Sequence, residues 1–174
     1  MQKVRIPMMV DPVKSAGKQL TYDGLVPASA LQRFQGMLVE TCADPEVVLN
    51  FLVDEQGLYV MQGQASVTAK VSCERCGEPL TVDVAAQFAY APVTRKQTAD
   101  NMPDAYEPIE PNEFGEINVH GVVEDELILA MPIVVKHDES DCKIDPNNMS
   151  WGEIDETPAE HDNPFAVLQD LKRK

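Results

Sequence analysis

Between residues 65 and 88 the chain alternates side-chain character twice, once on each side of a single turn. Ala65, Val67, Ala69, Val71 and Cys73 interleave with Ser66, Thr68, Lys70 and Ser72; beyond the turn, Leu80, Val82, Val84, Ala86 and Phe88 interleave with Thr81, Asp83, Ala85 and Gln87. A strand turns successive side chains to opposite faces, so a period of two marks a strand with one buried face. The connection Glu74-Arg75-Cys76-Gly77-Glu78-Pro79 contains Gly and Pro. The two runs therefore predict an antiparallel hairpin lying with one face on a core.

The neighbouring stretches add to this hairpin. Residues 47–53 and 58–62 are β-rich and flank Asp54-Glu55-Gln56-Gly57, a polar loop suited to a second hairpin. Residues 27–38 place Leu31, Phe34 and Leu38 at helical spacing behind Ser29, predicting an amphipathic helix on the sheet. Residues 95–111 are polar and carry Pro103, Pro108 and Pro111, which predicts a loop or extended connection. A short strand is expected at 116–119 and a helix at 119–131. That helix buries Val119, Val122, Val123, Leu127 and Ala130, widens its apolar surface with Ile128, Leu129 and Met131, turns Glu124 and Asp125 away, and stops at Pro132. The expected fold class is α+β: a partly barrel-like antiparallel sheet with packed helices over residues 1–137, followed by an acidic tail over 138–174.

Charge separates the two halves. The chain has 174 residues with 14 Lys and Arg against 29 Asp and Glu, a net charge of -15. Residues 1–96 hold nine basic and ten acidic side chains, a balance of -1, and residues 97–174 hold five and nineteen, a balance of -14. A polyanion is repelled by phosphates, which excludes nucleic-acid binding by bulk counterion release and coating of an anionic membrane. The tail is poor in apolar residues and is expected to be largely disordered in isolation. One island interrupts it, with Asn163 as a cap, Pro164 at the first helical position, and Phe165, Leu168 and Leu171 on one face before Lys172-Arg173-Lys174. So short a helix is marginal alone, which predicts docking, either back on the core or on a partner.

The first eleven residues contain only a five-residue apolar run, Ile6 to Val10, too short for a signal peptide, and no stretch is long enough to span a membrane. A cytoplasmic location is expected, where Cys42, Cys73, Cys76 and Cys142 stay reduced. Cys73 and Cys76 form a C-x-x-C at the tip of the best-marked hairpin. That spacing serves zinc knuckles and thioredoxin-like redox sites, and it also arises when one cysteine ends a strand and the other falls in a turn. A structural zinc site needs four N or S ligands, and His137 with Cys142 is the best second pair. A redox pair belongs at a helix N-terminus, whereas this one lies between strands beside Glu74 and Glu78. No Walker loop, G-x-S-x-G elbow, G-x-G-x-x-G fingerprint or H-E-x-x-H occurs, so no enzyme is expected.

Several further segments resemble the YceD family of large ribosomal RNA subunit accumulation proteins. They are Met1-Gln2-Lys3-Val4, Cys73-Glu74-Arg75-Cys76-Gly77, Tyr106-Glu107-Pro108-Ile109-Glu110 and Asn112-Glu113-Phe114-Gly115-Glu116-Ile117. The likeness continues through Val123-Glu124-Asp125-Glu126-Leu127-Ile128-Leu129-Ala130-Met131-Pro132 to Asn163-Pro164-Phe165-Ala166-Val167-Leu168. The resemblance implies a cytoplasmic, non-enzymatic factor for synthesis, processing or stability of the large-subunit (23S) ribosomal RNA. It also favours Cys73, Cys76, His137 and Cys142 as one zinc site or its remnant. Two modes of action are expected. In the first, the acidic half, with Glu124 and Asp125, and the anchors Phe165, Leu168 and Leu171 bind basic ribosomal proteins or an assembly factor. In the alternative, Lys70, Arg75, Arg95 and Lys96 contact the RNA directly.

Overall fold

The computed structural model describes residues 4–95 and 97–144. In chain order the elements are β1 (Val4–Arg5), β2 (Met9–Val10), α1 (Pro12–Gly17), β3 (Thr21–Leu25), a 3-10 turn (Ala28–Ala30) and α2 (Gln32–Gln35). These are followed by β4 (Glu46–Val53), β5 (Tyr59–Ser72), β6 (Pro79–Pro92), a second 3-10 turn (Ala99–Asn101), β7 (Glu107–Ile109), β8 (Ile117–Asn118) and α3 (Val119–Ala130). Six strands form one sheet in the order β1-β3-β4-β5-β6-β7, and β2 and β8 pair separately.

The alternating runs form the centre of that sheet. β5 and β6 pair antiparallel without a break from Met61 opposite Tyr90 to Ser72 opposite Pro79. Val67, Ala69, Val71, Val84, Ala86 and Phe88 are buried, while the interleaved residues from Ser66 to Gln87 are exposed, as the period of two requires. α1 packs on β4 and β5, and α3 on β5 and β6. Val119, Val123 and Leu127 of α3 are fully buried, each such side chain contributing about 1.5–3 kcal/mol by leaving water. α3 is capped by the Asn118 side chain, which accepts from the Gly121 N–H at 3.1 Å, and it ends before Pro132 with Met131 in an extended conformation. At the other edge, β1 approaches so closely that a Cβ on Gly24 would lie 2.0 Å from the Val4 carbonyl oxygen.

Four expectations are corrected. Among the described residues the sheet is not closed: β1 pairs only with β3 and β7 only with β6. The long β5–β6 ladder has no bulge to curl it into a barrel. The helix expected over 27–38 is broken into a 3-10 turn and the four residues of α2. Residues 95–111 contain β7, which pairs parallel with β6. Glu124 is turned inward, with a side chain only 9% exposed. The island at 163–171 lies outside the described residues. Among the described residues no helix is long and apolar enough to cross a membrane.

Candidate metal centre

The β5–β6 turn is built to present sulfur. The Cys73 N–H donates to the Glu78 carbonyl at 2.8 Å and the Gly77 N–H to the Cys73 carbonyl at 2.8 Å. Gly77 sits at φ +76°, a conformation costly for any side chain with a Cβ. The resulting corner holds Cys73 and Cys76 on one side. The chain leaving α3 returns to the same corner, where the Glu74 N–H donates to the Val135 carbonyl at 2.8 Å. That bond brings His137 and then Cys142 into place, and the Lys143 ammonium pairs with Glu78. One ligand atom from each of Cys73, Cys76, His137 and Cys142 lies within 4.8 Å of the other three.

The donor set fits zinc. A tetrahedron of sulfurs at about 2.3 Å from a zinc ion has edges of roughly 3.8 Å, so a group already inside 4.8 Å needs only a small contraction. His137 Nδ1 lies 3.4 Å from Cys76 Sγ, and its Nε2 lies 3.3 Å from the Pro79 carbonyl oxygen. Donation from Nε2–H to that carbonyl leaves Nδ1 as the nitrogen turned to the thiols, the outer-shell pattern of metal-bound histidine. Burial pushes the Cys73 thiol up, but the N–H groups of Cys76, His137 and Arg75 directed at its sulfur outweigh this and bring it down to about 6. His137 is raised, chiefly by its contact with Cys76. All four cysteines are free thiols, and the pair Cys73 and Cys76 lies between antiparallel strands rather than at a helix start.

The four residues predicted as a metal set are thus brought together from two parts of the chain. The cations predicted for RNA contact are not. Lys70 is ion-paired with Glu40 at 2.8 Å on β5. Arg75 is in the cysteine turn before β6, half-buried, with a buried Nη1 that meets no hydrogen-bond partner among the described residues. Arg95 is exposed beyond the far end of β6, a strand of 14 residues and so roughly 45 Å long. Lys96 lies outside the described residues, as do Phe165, Leu168 and Leu171. Glu124 is occupied: it accepts from the Arg33 N–H at 2.7 Å, the Phe34 N–H at 3.2 Å and the Arg33 guanidinium at 2.8 Å. Asp125 is half-exposed and pairs with Arg33 at 2.7 Å.

Two structural side chains were not legible. Gln97 is buried and pairs with the Tyr59 backbone, accepting at 3.0 Å and donating at 3.1 Å, as a strand would. His120 is buried with Nε2 2.9 Å from the Ile6 carbonyl oxygen. Neither has a local pattern that distinguishes it from a surface residue.

A family model described as large ribosomal RNA subunit accumulation protein YceD matches residues 61–172. The chain is 44% identical over 174 residues, all of both chains, to the large ribosomal RNA subunit accumulation protein YceD of Haemophilus influenzae. No solved structure matches.

Proposed function

Because the chain belongs to the YceD family of large ribosomal RNA subunit accumulation proteins, we propose that it supports accumulation of the large-subunit (23S) ribosomal RNA as a non-enzymatic cytoplasmic assembly factor. The observation that carries this is the end-to-end likeness to the Haemophilus influenzae protein, which leaves no part of either chain unmatched. A role through protein partners is favoured over direct RNA contact. The net charge of -15 opposes phosphate, and of the described cations Lys70 is neutralised by Glu40 while Arg95 lies beyond the opposite end of β6 from Arg75. Basic ribosomal proteins or a basic assembly factor suit the acidic half, with Phe165, Leu168 and Leu171 as apolar anchors.

Zinc at Cys73, Cys76, His137 and Cys142 is part of this reading. When bound, it supplies a structural crosslink between the hairpin tip and the segment after α3. The protein's own contribution is the turn that aims two sulfurs, the Pro79 carbonyl that orients the imidazole, and the Glu74–Val135 backbone bond that brings the second pair home. The test is complementation. In cells lacking the protein, the intact chain should restore the ratio of 23S to 16S RNA, and a chain cut after Ile144 should restore it only in part. Full rescue by the shortened chain would remove the anchors, and failure of the intact chain to rescue would remove the reading.

A further inference from the structure

Among the described residues, the outer edge of β6 is unpaired and has a definite chemistry. The hairpin-closing pair Cys73 and Glu78 is hydrogen-bonded, and the register then steps by two through Val71 with Leu80, Ala69 with Val82, and Val67 with Val84. Leu80, Val82, Val84, Ala86 and Phe88 therefore turn their N–H and C=O groups toward β5, and Thr81, Asp83, Ala85 and Gln87 turn theirs outward. The contacts at the two ends agree with this parity. The Pro79 carbonyl faces His137 Nε2, and β7 begins opposite Tyr90, with the Val93 N–H donating to the Ile109 carbonyl. Between those ends no backbone group of the described residues bonds to the edge.

Natural sheets defend such an edge with Lys, Pro, a bulge or a cover. From Leu80 to Ala91 this edge has no Lys and no Pro, and its ladder has no bulge. Its single charged residue, Asp83, accepts from the Thr68 hydroxyl at 2.7 Å. The open stretch is seven residues, roughly 23 Å, the length of an ordinary strand.

The surroundings specify the occupant. At the β7 end a recess of about 490 Å³ runs from Asp104, Glu107 and Glu126 past Gln87 to Gln62 and Gln64 of β5, with no Lys or Arg on its walls. Lys70, opposite Thr81, is neutralised by Glu40. On the helix side, Leu80 and Val82 are half-buried. Leu129 of α3 is 77% exposed, three residues beyond Glu126, whose carboxylate accepts from the Tyr90 hydroxyl of β6. Unpaired backbone groups, apolar side chains on one face and carboxylates at one end suit an extended segment in which apolar and basic residues alternate.

We propose that the β6 edge, from Thr81 to Gln87, accepts an added strand from a basic protein partner. This rests on the protein-mediated reading above and is independent of the metal centre. RNA is disfavoured because the carboxylates repel phosphate and none of Thr81, Asp83, Ala85 and Gln87 offers an aromatic ring for stacking. A second copy would bring the same carboxylates and another -15.

The test uses the full chain and a labelled synthetic peptide of about 12 residues in which Val or Thr alternates with Lys or Arg. Fluorescence anisotropy should show saturable binding that weakens with salt, and hydrogen exchange at Thr81, Asp83, Ala85 and Gln87 should slow by about tenfold or more. The same peptide N-methylated at alternate residues should bind at least about tenfold more weakly. Ala85→Pro, which removes an outward N–H and leaves the β5 ladder intact, should have the same effect. If that variant does not fold, Gln87→Lys, which opposes the basic peptide, should weaken binding about threefold or more. The proposal is overturned by absent binding, by unchanged affinity of the methylated peptide or the variants, or by protection at another surface. It is equally overturned by a dimer that Ala85→Pro dissociates, or by a single-stranded RNA that protects the same amides. A protein that fails here yet restores 23S RNA loses only this proposal.

Discussion

α3 and the segment that follows it are held by different chemistry. Along the helix, buried side chains do the work: Val119, Val123 and Leu127 enter the core, His120 meets the Ile6 carbonyl, and Glu124 closes on Arg33 and Phe34. Beyond its end, apolar burial gives out. Ile133 is 99% exposed and Val134 59%, Val135 packs only partly against the core, and the chain meets the β5–β6 turn through the Glu74–Val135 backbone bond, the Lys143–Glu78 pair and a group of three thiols and an imidazole. The contrast teaches that one region is stabilised by removal of apolar surface from water, whereas the other relies on polar contacts and, on the reading proposed above, on bonds to zinc. The first should persist without metal and the second should not.

Metal removal tests that division most severely. Because the ligand set is lost on unfolding, chelation should lower global stability by about 4 kcal/mol if free zinc stood near a thousand times its dissociation constant. The stripped protein should nevertheless stay folded, with slow amide exchange kept at Val67, Val84 and Leu127 and lost at Cys76 and His137. Outright unfolding on chelation would break the comparison. Leu127→Ala should then cost about 3 kcal/mol in denaturant unfolding by leaving a cavity, with zinc content unchanged. Loss of zinc from that variant would mean that the two regions are coupled.

Glu124→Ala should cost about 2 kcal/mol, because it strands the Arg33 and Phe34 N–H groups at the start of α2. A smaller effect is visible in pH. Burial raises the Glu124 carboxyl, but the Arg33 side chain and the two N–H groups outweigh it and hold it below the usual carboxylate range. A group depressed in the folded state stabilises fully above its unfolded value, near about 4.3, and that contribution is lost as pH falls through the folded value. Glu124→Gln should therefore be less stable than the parent at neutral pH and converge toward it in acid, a difference of about 1 kcal/mol in unfolding curves. Parallel curves at all pH values would exclude the carboxylate as the cause.

Much of this was legible because it is local. The turn at 54–57, the β5–β6 hairpin, the helix after Asn118 and the cysteine turn are each written in consecutive residues. The pairing of His137 and Cys142 with that turn was also accessible, since ligand chemistry restricts the choice of partners. What was not legible depends on distant contacts. The expected 27–38 helix shortens where the Glu124 carboxylate, 90 residues later, takes the first N–H groups of α2. β7 is disguised by prolines and pairs parallel to β6. β5 absorbed two expected strands because Gly63, which has no side chain to show polarity, links them, with the Phe88 ring standing where its Cβ would be. Glu124 and Asp125 looked equivalent on the sequence, and only the approach of α2 makes one a buried lock and the other a surface charge.

The most direct test of the proposed zinc site is zinc analysis with X-ray absorption at the zinc edge, on protein purified without chelator. The account predicts one zinc per chain, bound by three sulfurs at about 2.3 Å and one nitrogen at about 2.0 Å, and loss of that signal in Cys76→Ser. Metal-free protein, or zinc bound only through nitrogen and oxygen, would contradict it.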